Sequence, residues 1–270
     1  MHIATQPRPH PLNRDFQWQD VPAERTLGAL TREQVAAFDR DGFLRIEDVF
    51  TPEEIDAVVR AIDPIEAAYE TYVSEEQGGS FRLTSAGTIT FTAHIVKQSR
   101  ILRDFAAHPA IRAILHDLIG GGVRLYWDQS VYKKTGRKQE FPWHQDNGYT
   151  FIQPQQYLTL WIPLADVDEE NGCPWIVPAL HRGGTIEHWV TPIGLKCLED
   201  AEGVAVPGKA GDIILFSSLA PHRTGPNLRD GTVRKAYILQ YAPDGAYTIV
   251  NGEEIVQDDP ERQFMVVPAD

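Results

Sequence analysis

In the stretch Phe141-Pro142-Trp143-His144-Gln145-Asp146-Asn147, a histidine and an aspartate are separated by one residue and flanked by aromatics. On a strand, residues i and i+2 point to the same face, whereas on a helix they diverge. Pro142 disfavours helical backbone at Phe141 before it, so the segment is expected to be extended. His144 and Asp146 would then project side by side. By itself the triplet is also the pattern of an ordinary surface histidine beside a turn aspartate. A neutral imidazole and a carboxylate on one face supply two ligands of a 2-His-1-carboxylate triad, which leaves open positions on Fe(II).

The third ligand must come from elsewhere. His181, in Pro178-Ala179-Leu180-His181-Arg182, and His222, just past the apolar run Ile213–Ser217, are the candidates. Further on, Arg234 opens the last strongly apolar strand pattern, Val233–Pro243. A buried arginine there could hold a carboxylate through a bidentate pair. That is what an enzyme using 2-oxoglutarate requires, since the keto-acid end chelates iron and the distal carboxylate needs a cation some distance away.

The elements that must position these residues can be read from local patterns. Thr31 with Gln34, and Thr51 with Glu54, form capping boxes that open two helices, with Pro52 at the first helical position of the second. Asp41-Gly42 ends the first helix, and Phe43–Phe50 reads as a strand. A further helical stretch from Ile101 is broken at Pro109 and ended by glycines at 120–122. From Val123 onward the runs are short, β-branched or aromatic, and separated by Gly, Pro, Asn and Asp. The spacing predicts an α+β, mainly β, single domain over 1–270: an antiparallel sandwich or barrel preceded by helices packed on one sheet. Residues 1–25 read as a proline-rich mobile arm and the β core spans about 121–245.

Composition excludes several classes. The 270 residues, 42% hydrophobic, suffice for one large core. No window approaches the ~18 apolar residues of a membrane span, and the N-terminus shows no apolar signal region. Two cysteines, Cys173 and Cys197, make a disulfide framework or a cysteine-based zinc site improbable, and a reducing cytoplasm is the default. A net charge of −13 repels phosphate backbones, which argues against nucleic acid. Lys133, Lys134, Arg137 and Lys138 are conspicuous against that charge. They read either as a solvated loop or as a basic patch at the pocket mouth that attracts an anionic substrate.

Three segments together, 128–149, 160–184 and 211–243, resemble the phytanoyl-CoA dioxygenase family in order, spacing and flanking residues. Residues 38–58 resemble that family's N-terminal helix-strand-helix. The resemblance implies a double-stranded β-helix (a jelly roll) that carries Fe(II) and 2-oxoglutarate and uses O2. His144, Asp146 and His222 match the iron ligands, and Arg234 matches the arginine that binds the distal carboxylate. Trp161, Gln129 and Thr224 fall at positions near the cosubstrate. Relatives also use an upstream lysine there; Thr92 or His94 stands in the matching stretch. His181 is then structural, and His188 has no evident partner. The resemblance implies a dioxygenase that hydroxylates a C–H bond of a small molecule, releasing succinate and CO2. Asp146 argues against halogenation, since halogenating relatives lack the carboxylate. Desaturation, cyclisation and epimerisation share the same first step, and a non-catalytic binding module on this fold is the other alternative. A monomer or homodimer is expected.

Overall fold

The structure is a computed structural model that describes residues 7–135 and 140–269. The chain begins with α1 (Arg32–Asp41), β1 (Phe43–Ile46) and the long α2 (Pro52–Glu76). Next come β2 (Ser80–Phe81), β3 (Thr84–Ser85), β4 (Ile89–Ala93), α3 (Arg100–Phe105) and α4 (Pro109–Leu118). The β core holds β5 (Val123–Lys134), β6 (Phe141–His144), a short α5 (Asp146–Tyr149), β7 (Ile152–Gln153), β8 (Leu158–Pro163) and β9 (Pro174–Ile176). It continues through β10 (Trp189–Thr191), β11 (Gly194–Lys196), β12 (Val204–Ala205), β13 (Ile213–Ser217), β14 (His222–Thr224) and β15 (Val233–Pro243). A hairpin of β16 (Tyr247–Val250) and β17 (Glu253–Val256) precedes β18 (Met265–Val267).

Both capping boxes form as the sequence specifies, Thr31 with Gln34 and Thr51 with Glu54. Gly42 ends α1 in the left-handed region, at φ 84°, against the ring of His181. A Cβ there would lie 2.4 Å from Nδ1 of His181, so the close approach of this turn requires glycine.

Two larger sheets face each other, and two small ones, β10-β11 and β17-β16-β7, lie beside them. The major sheet runs β1-β13-β8-β15-β5-β4-β3-β2, with β18 also paired to β5. The minor sheet runs β12-β9-β14-β6. This is the double-stranded β-helix. The major sheet extends beyond the 121–245 core, because β1, β4 and β18 are added at its margins.

Alternation along the central strands divides the apolar residues between two layers. Leu160, Ile162, Leu215, Tyr237 and Leu239 face the helices and join Phe38, Ile55, Ile62 and Leu115. Trp161, Ile214, Phe216, Ala236 and Ile238 face the minor sheet and join Cys173 and Ile176. Helices therefore buttress one side of the major sheet and leave its other side to the site.

The described part of the N-terminal segment differs from the expected mobile arm. His10 stacks on Phe151 at 4.8 Å, Asn13 Nδ2 donates to the carbonyls of Gly183 and Thr185, and Trp18 is buried against Phe38 and His181. Its prolines prevent regular structure but suit an extended strap, and Trp18 gives that strap apolar area to bury.

Candidate metal centre and anion site

The site starts from one rung of the minor sheet. Antiparallel pairing of β6 with β14 sets His144 directly opposite His222, with ring centroids 4.1 Å apart. Gln145 remains extended at φ −106° and ψ 143°, so Asp146 returns to the side of His144. Asp146 itself starts α5 rather than continuing the strand. Asp146 Oδ1 lies 3.8 Å from Nε2 of His144 and 3.7 Å from Nε2 of His222. One ligand atom from each of the three residues lies within 4.8 Å of the others.

The remaining polar atoms of the triad are already engaged. Nδ1 of His144 donates to Pro142 O at 2.8 Å, and Nδ1 of His222 donates to Ala220 O at 3.1 Å. A carbonyl only accepts, so both rings are fixed with Nε2 unprotonated. Asp146 Oδ2 accepts from the Thr159 hydroxyl at 2.5 Å. Burial, and then the neighbouring His222, hold the pKa of His144 down at about 3; burial holds His222 at about 4. Burial pushes the Asp146 carboxyl up. Two neutral imidazoles and one carboxylate facing a common point match the donor set of a facial iron site.

Gln145 locks the loop from behind. Its Nε2 donates to Gly184 O and Leu219 O, its Oε1 accepts from Ile186 N–H, and its own N–H reaches Nε2 of His188. His188, for which the sequence offered no partner, is thus a structural support for the metal loop. His181 stands outside the site, packed edge-on against Trp18 at 4.4 Å.

Beneath the triad lies a second feature of opposite character. Arg234 on β15 pairs in register with Lys133 on β5, and both are buried. Lys133 Nζ donates to Thr224 O at 3.0 Å, Thr224 Oγ1 at 2.8 Å and Gly225 O at 2.8 Å. Arg234 lies over the Trp161 ring at 5.2 Å and donates through Nη1 to Val131 O at 3.3 Å, while its Nε and Nη2 are buried without a partner. Burial pushes Arg234 down to about 9, and burial together with Arg234 holds Lys133 well below the usual lysine range. An incompletely bonded buried guanidinium, with a buried lysine beside it, calls for an anion. Thr224 is two residues beyond His222 on β14, so the cationic floor sits ~7 Å from the triad along the strand.

The structure therefore brings Arg234, Trp161 and Thr224 together as the sequence expected. It adds Lys133, which the sequence reading assigned to a surface loop. The overlooked signal is parity, since Gln129, Val131 and Lys133 alternate on one face of a strand that runs on to Lys134. The basic-patch reading is corrected accordingly. Lys133 is interior and Lys134 is bound to Glu70 at 2.6 Å, while Arg137 and Lys138 lie outside the described residues. Thr92 and His94 are not at the cationic floor. Ile89 is the β4 residue paired with Lys133, and His94 lies five residues further on, ~17 Å at strand pitch.

Above the triad opens a cavity of about 630 Å³ whose lining includes His144, Asp146, Gln129, Trp127, Phe91 and His94. Gln129 Oε1 accepts from the Trp127 indole N–H at 3.1 Å.

A jelly roll with a buried His-x-Asp and a distant histidine converging at one rung defines the class of non-haem iron oxygenases. The profile of the phytanoyl-CoA dioxygenase family matches residues 38–236, and the chain belongs to that family. It is an oxidoreductase of the dioxygenase type. Among curated relatives, ectoine dioxygenase of Sphingopyxis alaskensis is 25% identical, over 79% of this chain and 76% of its own length. Phytanoyl-CoA dioxygenase domain-containing protein 1 of Bos taurus is 27% identical over 88% of this chain and 98% of its own. The fold is shared with EctD from S. alaskensis crystallised with 2-oxoglutarate and 5-hydroxyectoine, at TM-score 0.71 and 20% identity over 98% of this chain and 95% of that one. It is also shared with the epimerase SnoN in complex with Fe3+, alpha ketoglutarate and nogalamycin RO, at TM-score 0.67 and 21% identity over 86% and 96%. Among the described residues, no helix is long and apolar enough to cross a membrane.

Proposed function

We propose that this chain is an Fe(II)- and 2-oxoglutarate-dependent hydroxylase of a small molecule. His144, Asp146 and His222 hold the iron, and Arg234 takes the distal carboxylate of 2-oxoglutarate. The observation that carries this reading is the pairing of a prearranged triad with the incompletely bonded, buried guanidinium of Arg234. When bound, the iron couples oxidative decarboxylation of 2-oxoglutarate, giving succinate and CO2, to oxidation of a substrate C–H bond.

The residues divide the remaining work. The two Nδ1–carbonyl bonds and the Thr159 hydroxyl keep three ligand atoms aimed at one point before any metal arrives. Lys133 places a second basic side chain beside Arg234 while fixing Thr224, so the anion end of the cosubstrate meets a preformed cradle. Trp161 covers one face of the guanidinium and keeps water from it. The aromatic cavity above the triad admits the substrate. Asp146 supplies the third protein ligand, which supports hydroxylation over chemistry that needs that position vacant.

The test is a substrate screen with iron-loaded protein, read as substrate-dependent succinate release together with mass analysis of the product. Succinate with a product one oxygen heavier supports hydroxylation. Succinate with an isomeric or dehydrogenated product keeps the cofactors and replaces the outcome. Absence of iron-dependent succinate across the screen counts against the reading.

A further inference from the structure

The cavity above the triad has an uneven chemistry. Phe81, Phe91, Tyr126, Trp127, Phe141 and Tyr149 contribute aromatic surface to its lining. Flat π faces at this density favour a planar, mainly apolar guest, because stacking adds to the gain from area burial. Arg82 also borders the cavity, but its guanidinium lies over the Phe81 ring at 5.3 Å.

Within this lining His94 is held in an unusual way. It adopts the left-handed conformation, φ 58° and ψ 37°, at the end of β4. A non-glycine residue there is strained, and such strain persists where surrounding structure enforces it, often at functional sites. Two contacts enforce it here. The His94 backbone N–H donates to Asp128 O at 2.8 Å, and the ring meets Trp127 edge-on at 4.2 Å.

The ring then faces a buried acid. His94 Nδ1 lies 3.9 Å from Asp128 Oδ1, and both atoms are buried without another partner. The second oxygen of Asp128 is engaged by Val96 N–H at 3.0 Å and the Tyr237 hydroxyl at 3.3 Å. At that distance the pair is not hydrogen-bonded, but an acceptor oxygen facing Nδ1 favours the Nδ1–H tautomer through space, which leaves an unshared pair on Nε2. Nδ1 is on the closed side of the ring, and the side chain as a whole is 28% exposed, so the open edge of the imidazole borders the cavity. Burial and nearby cationic side chains hold the ring's pKa down at about 4, so it is neutral at physiological pH.

We propose that His94 is a substrate-recognition residue: a planar, mainly apolar small molecule lies among the aromatic walls and donates a hydroxyl or N–H hydrogen bond to His94 Nε2, with Asp128 as the positioning residue that fixes the tautomer. The inference rests on the oxygenase reading only in calling the guest a substrate; its binding test needs no iron and so fails or succeeds independently.

The experiment uses the full chain without metal and two matched probes, 2-naphthol and its methyl ether, which differ in the donor hydrogen. Calorimetric titration of wild type is expected to show 2-naphthol binding roughly 2- to 10-fold tighter, the range of one net hydrogen bond. His94→Ala should bring that ratio to about one, and His94→Gln, which keeps an acceptor, should restore part of it. Ring 15N shifts of histidine-labelled protein should report Nδ1–H at His94 in wild type, a mixed tautomer in Asp128→Asn, and a perturbed Nε2 on adding 2-naphthol but not the ether. Equal affinities in wild type, a ratio that survives His94→Ala, or no binding of either probe overturns the proposal. An Nε2–H tautomer in wild type overturns the role of Asp128.

Discussion

The triad and the cationic floor are close neighbours built on opposite terms. At the triad, the atoms that do not point at the common centre are already hydrogen-bonded, to Pro142 O, Ala220 O and the Thr159 hydroxyl. At the floor, Arg234 is left with two buried nitrogens unpartnered, and a second basic side chain, Lys133, stands beside it. The difference teaches how the labour is divided. The protein alone organises the metal geometry, since neutral imidazoles tolerate a dry site. It leaves the floor incomplete, because a buried guanidinium is satisfied only when its anion arrives.

The largest effect should come from breaking the triad. His222→Ala and Asp146→Ala should each lower iron-dependent succinate release by more than roughly a hundredfold, beyond the loss typical of supporting residues, with the fold retained by circular dichroism. Near-normal turnover in His222→Ala would undo the contrast on the triad side.

Breaking the floor should move a different quantity. Arg234→Ala should raise the KM for 2-oxoglutarate by a factor corresponding to ~2–5 kcal/mol, roughly 30- to several-thousandfold, and Arg234→Lys should raise it less. Arg234→Met sharpens the comparison further. Removing an unsatisfied buried charge should stabilise the cosubstrate-free protein by ~1 kcal/mol, a gain of roughly 2–4 °C in Tm by calorimetry. Adding 2-oxoglutarate should raise the Tm of wild type and leave that variant unmoved. An unchanged KM in Arg234→Ala would assign the distal carboxylate to Lys133.

Smaller effects separate the supports. Thr159→Val removes the hydroxyl that holds Asp146 Oδ2 and should weaken iron binding by roughly 10- to 100-fold in a metal titration, with the cosubstrate KM at saturating iron barely moved. Smallest of all, Lys134→Glu should leave the salt dependence of turnover unchanged, because Glu70 already neutralises Lys134, and should cost only ~0.2–1 kcal/mol of stability in urea unfolding.

What could be read in the sequence follows the same division. His144 and Asp146 were legible because an i,i+2 relation in extended backbone is local, and Gln145 preserves it although the strand ends at His144. The capping boxes at Thr31 and Thr51 were legible for the same reason. Lys133 was hidden because it was grouped with the basic run that follows it, whereas its meaning is set by parity within a strand that ends one residue later, at Lys134. The docking of residues 7–25 was hidden because proline content describes what a segment cannot form, while Trp18 packs against residues far away in sequence. The roles of Gln145 and His188 depend on contacts between residues about 40 positions apart, which no local spacing encodes.

The placement of His222 and Thr224 on one three-residue strand has a consequence for metabolite choice. A rigid backbone joins the histidine that faces the metal position to the threonine that Lys133 grips. Under the proposed function, the ~7 Å of strand between them sets the distance that the cosubstrate has to span. A keto diacid one carbon shorter or longer than 2-oxoglutarate is then expected to support less succinate-type turnover, which a cosubstrate substitution assay checks.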